Sequence, residues 1–204
     1  LPLYVFCGRH LLLAKLRRAD GGAAAGVVEE VERLVARIRA KWPHTRILLR
    51  GDADFGLDAL MPCEADGVGF VLGIGRNERL LAEIAPELDR AAAASARTGH
   101  PERRFKTFMW MTRRTWSRPR RIVAKAEWAN GEANPRFVVT SLTRREYEAE
   151  ELYEKVYCAR GDVGNRIKEC QLDLFADRTS TATMRANQLR LWFHSMAYVL
   201  LCAL

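Results

Sequence analysis

The chain has 204 residues, of which 49% are hydrophobic and 28% charged, enough to bury a core in one large domain or two small ones and too apolar for a disordered chain. Thirty-three Lys and Arg against 25 Asp and Glu give a net charge of +8 and a pI near 9.6. That balance favours a phosphate-rich partner, although arginine-rich proteins are also basic without one. Five cysteines, Cys7, Cys63, Cys158, Cys170 and Cys202, form no CxxC pair; this argues against a zinc site or disulfide framework and for a reducing, cytoplasmic setting.

The first residue is Leu1, with no start methionine or leader, and the chain opens directly on the apolar run Leu3–Cys7; the expectation is a piece of a longer reading frame. Residues 3–7 and 11–16, separated by Gly8-Arg9-His10, predict a hairpin. Apolar residues at 27, 28, 31, 34, 35 and 38 predict an amphipathic helix over 23–40, stopped by Trp42-Pro43. Arg46–Arg50 reads as a short strand that runs into Gly51-Asp52-Ala53-Asp54-Phe55-Gly56. A helix over 57–65, a strand over 68–74 and a helix over 77–94 complete a β/α alternation, which predicts a sheet with helices on its faces. Residues 95–104, polar and containing Gly99 and Pro101, read as a linker. Beyond it the period changes: 105–111, 120–128 and 136–142 predict an antiparallel meander inserted into the α/β chain. Helix returns from about residue 144 and continues through 152–174. A last helix starts near Thr179-Ser180-Thr181 and runs to Leu204. Its apolar end, Leu191–Leu204, is fourteen residues long. A membrane span needs about 20, so a buried helix is predicted and no membrane partner. The resulting division is 1–95 for the first part of the core, 96–142 for the β-rich insertion and 143–204 for the closing helices.

In a continuous helix over 152–174, at about 100° per residue, Tyr157, Arg160, Gly164, Lys168 and Gln171 share one stripe. Leu152, Val156, Ala159, Val163, Ile167, Cys170 and Leu174 form an apolar stripe beside it, suited to burial against a sheet. Tyr157, Arg160, Lys168 and Gln171 make a front able to grip a polyanion. Gly164 interrupts it, at a helix-interior cost of roughly 1 kcal/mol relative to Ala. Asp52 directly follows a strand, where open α/β sheets place their ligands; it reads equally as a turn residue or N-cap, with Asp54 as the second candidate. Metal-assisted cutting of DNA needs two or three converging carboxylates, and the front stripe supplies none, since Asp162 and Glu169 lie on other faces. Trp116, between Arg113-Arg114 and Arg118-Pro-Arg120-Arg121, has the aromatic and basic pattern that stacks on bases and tracks a backbone, with core packing as the competing reading. Trp110 and Trp128 alternate like core residues. His10, His44, His100 and His194 show no ligand spacing.

Tyr157, Arg160, Gly164 and Gln171 fall at the spacing Tyr-x2-Arg-x3-Glu-x6-Lys, the third-acid signature of a large group of bacterial insertion-sequence DDE transposases. The context Arg160–Glu169, the run Asp173–Arg190, and the segments Leu3–His10 and Leu48–Asp52 also resemble one branch of that group. The resemblance implies a ribonuclease H-like mixed sheet flanked by helices, with an inserted antiparallel β meander before the third-acid helix. It implies that Asp52 is the second catalytic Asp and a metal ligand, and that Gly164 occupies the position of the catalytic Glu. Tyr157 and Arg160 match residues that contact phosphates near the active site. Further implied are Mg2+ or Mn2+ as cofactor in intact relatives, double-stranded DNA at element ends and target as partner, self-association, and a place with the bacterial nucleoid. The departures are Gly164, Gln171 at the signature Lys, and the first Asp, which in such proteins lies on the strand before the hairpin. The expectation is a catalytically silent copy; the rivals are a non-catalytic DNA-binding remnant that competes for element ends or joins intact transposase, and a decayed gene fragment.

Overall fold

In the computed structural model, which describes residues 2–18, 26–53, 58–113, 115–176, 178 and 180–204, the first element is the expected hairpin. Pro2–Cys7 (β1) and His10–Leu16 (β2) pair antiparallel, with a bulge between Val5 and Phe6. Helix α1 (Val27–Lys41) buries Val27 and Val31, and its Glu30 accepts from Lys15 at 2.8 Å and Arg33 at 2.5 Å.

Ile47–Gly51 (β3) and Val68–Ile74 (β4) are parallel neighbours, Ile47 opposite Val68 and Gly51 opposite Leu72. Between them Asp58–Asp66 winds as a 3-10 helix containing Pro62. Helix α2 (Glu78–Thr98) follows, then β5 (Glu102–Trp110), β6 (Arg120–Ala129), β7 (Glu132–Ala133) and β8 (Arg136–Thr140). The sheet order is β3-β4-β8-β6-β5, with β7 paired to β6. It is mixed: β3–β4 is parallel and the remaining pairs are antiparallel.

The expected meander forms, and β8 pairs directly with β4, Val71 opposite Thr140 and Ile74 opposite Phe137, so its strands continue the same sheet. The linker expected over 95–104 is corrected: α2 runs to Thr98, where Gly99 at φ 72° closes it by donating its N–H to Ser95. Glycine takes that left-handed cap at no Cβ penalty. The helix is longer because its buried stripe, Leu80, Ile84, Ala91 and Ala94, continues through the alanine run.

Helix α2 packs on β5 and β6. Val71, Val123 and Val138 form a second buried cluster with Leu142, Leu152, Tyr153 and Tyr157. Full burial of side chains of this size contributes about 1.5–3 kcal/mol each.

The stretch from Ala149 to Asp173 is helical without being one α-helix. It passes from α3 (Ala149–Glu151) through a π-helical turn (Leu152–Tyr157) and a 3-10 turn (Cys158–Arg160) to α4 (Gly161–Lys168) and a second π-helical turn (Glu169–Asp173). In the first π turn Cys158 donates to Tyr153 across five residues, and the widened turn carries Leu152, Tyr153 and Tyr157 into the core together. The predicted stripe, counted at a constant angle per residue, is therefore broken between Tyr157 and Gly164.

Helix α5 (Met184–Ala203) starts at Thr183, whose hydroxyl accepts from Ala186 N–H. The predicted burial of its apolar end is corrected. Asn187, Leu191 and Tyr198 are buried, while Trp192, Phe193, Met196, Val199 and Leu200 are exposed. One stripe meets β2, where Gln188 bonds Leu16 N–H and Ala14 carbonyl, and Tyr198 reaches the carbonyl of Arg9. Among the described residues no helix is long and apolar enough to cross a membrane. The chain divides into two compact units, Leu1–Ala40 with Arg160–Leu204, and Lys41–Ala159.

Candidate active site

In the unit Lys41–Ala159, β3 ends at Gly51 opposite Leu72, so Asp52 leaves the sheet at the carboxyl end of the parallel pair β3–β4. The next residue of β4 is Gly73. A Cβ on Gly73 would stand 2.6 Å from the Tyr157 hydroxyl, 2.7 Å from Ala53 N and 2.9 Å from the Asp52 carbonyl carbon. Side chains do not approach so closely, so glycine is what lets the Asp52 turn and the Tyr157 hydroxyl meet over the strand. Arg50 ties the same region together, donating to the Val156 carbonyl at 3.1 Å.

Tyr157 is 7% exposed and its ring lies 5.4 Å from that of Tyr153, in the cluster with Val71 and Val138. Tyr157, expected on an exposed front, lies in the core with its hydroxyl end reaching Gly73. Asp54 lies outside the described residues.

The remaining signature positions belong to the unit that includes Arg160–Leu204. Gly164 is exposed in α4, and nothing lies within 4 Å of a Cβ built on it. Among the described residues no close approach demands glycine there, and a Cβ would stand in open space. Lys168 is exposed, Arg160 and Gln171 are half-buried, and Arg166 forms an ion pair with Glu169 at 2.9 Å.

Trp116, Arg120 and Arg121, expected on a nucleic-acid face, are buried. Trp116 is 7% exposed, and its backbone N–H donates to the Thr112 hydroxyl at 2.9 Å. Arg120, equally buried, donates to Glu64 at 2.5 Å and sits 5.3 Å over the Phe70 ring. Arg121 donates to the Thr107 hydroxyl at 3.0 Å and to the carbonyls of Leu142 and Tyr147 at 3.2 and 2.9 Å. The Arg121 donors and Arg120 Nη1 find partners inside the protein, as buried polar groups generally do, while Arg120 Nε does not.

Gly73 and Glu64 escaped the sequence reading. A signal for Gly73 exists in the strand Val-Gly-Phe-Val-Leu-Gly-Ile, because glycine inside a strand marks close approach of another segment. Glu64 carries no local signal, since its two arginine partners are more than fifty residues away.

Among the described residues no three of His, Cys, Asp and Glu gather into a group able to hold a metal. Mg2+ takes carboxylate oxygens in a near-ideal octahedron. Asp52 offers a single carboxylate at the end of β3, so the described residues there do not fit such a clamp. Burial pushes the thiols of Cys63 and Cys170 up to about 11, which keeps both protonated at neutral pH and unsuited to bind metal as thiolates.

The sequence matches the family described as Transposase DDE domain group 1 over residues 1–204. No curated protein and no solved structure matches the chain at a significant level.

Proposed function

Because the chain belongs to the transposase DDE domain group 1 family, we propose that it is the catalytic domain of a bacterial insertion-sequence transposase, in a copy that binds DNA without cutting it. The observation that carries the reading is Gly164. The family signature calls for a carboxylate there, and the position is exposed with open space around a Cβ. Asp52, at the carboxyl end of β3, takes the role of the second acid and metal ligand. Gly73 and the Tyr157 hydroxyl position its turn. Arg160, Lys168 and Gln171 are assigned to backbone phosphates.

Loss of a charge-neutralising ligand at a phosphoryl-transfer centre removes several kcal/mol of transition-state stabilisation. Each 1.36 kcal/mol is about tenfold in rate, so the copy loses several powers of ten. DNA binding depends on a different quantity, the net charge of +8, and survives the lesion. Mg2+ or Mn2+ serves intact relatives and is not held productively here. Such a copy acts on transposition by occupying element ends or by entering mixed oligomers with intact transposase.

The test is affinity for terminal-repeat DNA against random duplex across a salt series. The expected result is tighter binding to the repeat, with affinity falling steeply as salt rises. Equal affinity for both duplexes would remove the end-binding role.

A further inference from the structure

A cavity of about 460 Å³ opens where β5 and β8 end and β6 begins, with Arg118, Arg120, Arg121, Arg144 and Glu64 in its wall. Asp52 stands at the carboxyl end of β3–β4, and β8 runs antiparallel to β4, so the cavity opens toward the opposite end of the sheet. It is a different place from the candidate active site.

Arg118 and Arg120 face one carboxylate there, an excess of one positive charge, while Arg121 is held by Thr107, Leu142 and Tyr147 and Arg144 pairs with Glu148 at the rim. Arg118 and Arg120 both donate to the same oxygen, Oε2 of Glu64. Arg120 is 7% exposed and its enclosed Nε has no acceptor in the protein, so a buried cation is left short of partners. Two guanidinium groups crowded on a single carboxylate oxygen would be better matched by an oxyanion with several oxygens, the geometry for which Arg is suited. Arg118 and Arg144 are 58% and 70% exposed, and the Arg144 pair with Glu148 is itself exposed, so both side chains can turn over such a group at little cost. Phe108 and the exposed Met109 supply an apolar wall beside the charges, suited to a base or sugar.

We propose that this cavity is a phosphate-ester pocket, taking a nucleotide phosphate, and that Glu64 occupies the place of the oxyanion until the ligand displaces it. A DNA strand as the source of that phosphate rests on the transposase reading; the chemistry of the pocket does not.

The experiment is calorimetric titration of the full chain with inorganic phosphate and with a deoxynucleoside monophosphate, followed by competition with a random-sequence DNA duplex. The mononucleotide is expected to bind at one site. Glu64→Gln should tighten it several-fold by releasing both arginines, and the double variant Arg118→Gln/Arg144→Gln should weaken it at least tenfold. The double variant changes exposed side chains only, so it remains informative if Glu64→Gln fails to fold. Competition by the duplex identifies a DNA strand as the ligand. Binding of the small phosphates without competition identifies a free phosphate ester, supports the pocket and separates its fate from that of the transposase reading. No binding of either small ligand, or binding indifferent to Arg118→Gln/Arg144→Gln, overturns the proposal.

Discussion

Two glycines, Gly73 and Gly164, lie in the same sequence for opposite reasons. At Gly73 a Cβ would collide with Ala53 N at 2.7 Å and the Asp52 carbonyl carbon at 2.9 Å, both backbone atoms that cannot swing aside. Gly73→Ala is therefore expected to destabilise the fold by roughly 1–3 kcal/mol, read from urea unfolding. An unchanged midpoint would mean that Asp52 and Tyr157 are not held over β4 as described. At Gly164 the surroundings are open and the helix carries only the glycine's entropy. Gly164→Ala should stabilise by up to about 1 kcal/mol, and Gly164→Glu should fold as well as the parent. Loss of stability in both would show that the position is crowded. The second glycine was singled out by signature spacing alone. The first was not, because its meaning depends on a strand neighbour and on a tyrosine 84 positions later.

At the level of elements, amphipathic periodicity located most helices and strands, and β4 was found at its observed bounds, Val68–Ile74. What remained hidden was set by tertiary contacts. The π turn over Leu152–Tyr157 arises where three large side chains enter one core, and no count at constant angle anticipates it. Trp116, Arg120 and Arg121 form a local pattern that reads as a nucleic-acid face, yet acceptors from Glu64, Leu142 and Tyr147 turn the two arginines inward. The start of α2 was legible, since Asn77 caps it by accepting from Leu80 N–H at 3.0 Å. Asn77→Ala should cost about 1 kcal/mol in thermal or urea unfolding. No change would mean that the cap is not formed in solution.

For the whole molecule, both units depend on carboxylates held below their ordinary range. In one unit Glu30 is lowered first by its hydrogen bond to Lys15. In the other, burial would raise Glu64 and Glu127, but Arg120 and Arg118 on the first and Lys125 on the second outweigh it. Glu146 is lowered by the Thr143 N–H. A depressed folded pKa means stability fully present above the unfolded value, about 4.3, and lost as pH falls through the folded one. Unfolding free energy should stay level down to about pH 5 and fall below about pH 4. A level profile to pH 2 would contradict those pairings.

The mixed sheet and the family were legible in β/α alternation and signature spacing. The union of residues 1–40 with 160–204 was not, because it depends on pairing across more than a hundred residues. The central claim, a transposase domain that holds DNA and leaves it whole, is tested most directly by incubating the chain with element-end DNA and Mg2+ or Mn2+ and resolving strand breaks on a denaturing gel. The account predicts retarded but intact DNA. Nicking that requires the metal and disappears in Asp52→Asn would contradict it.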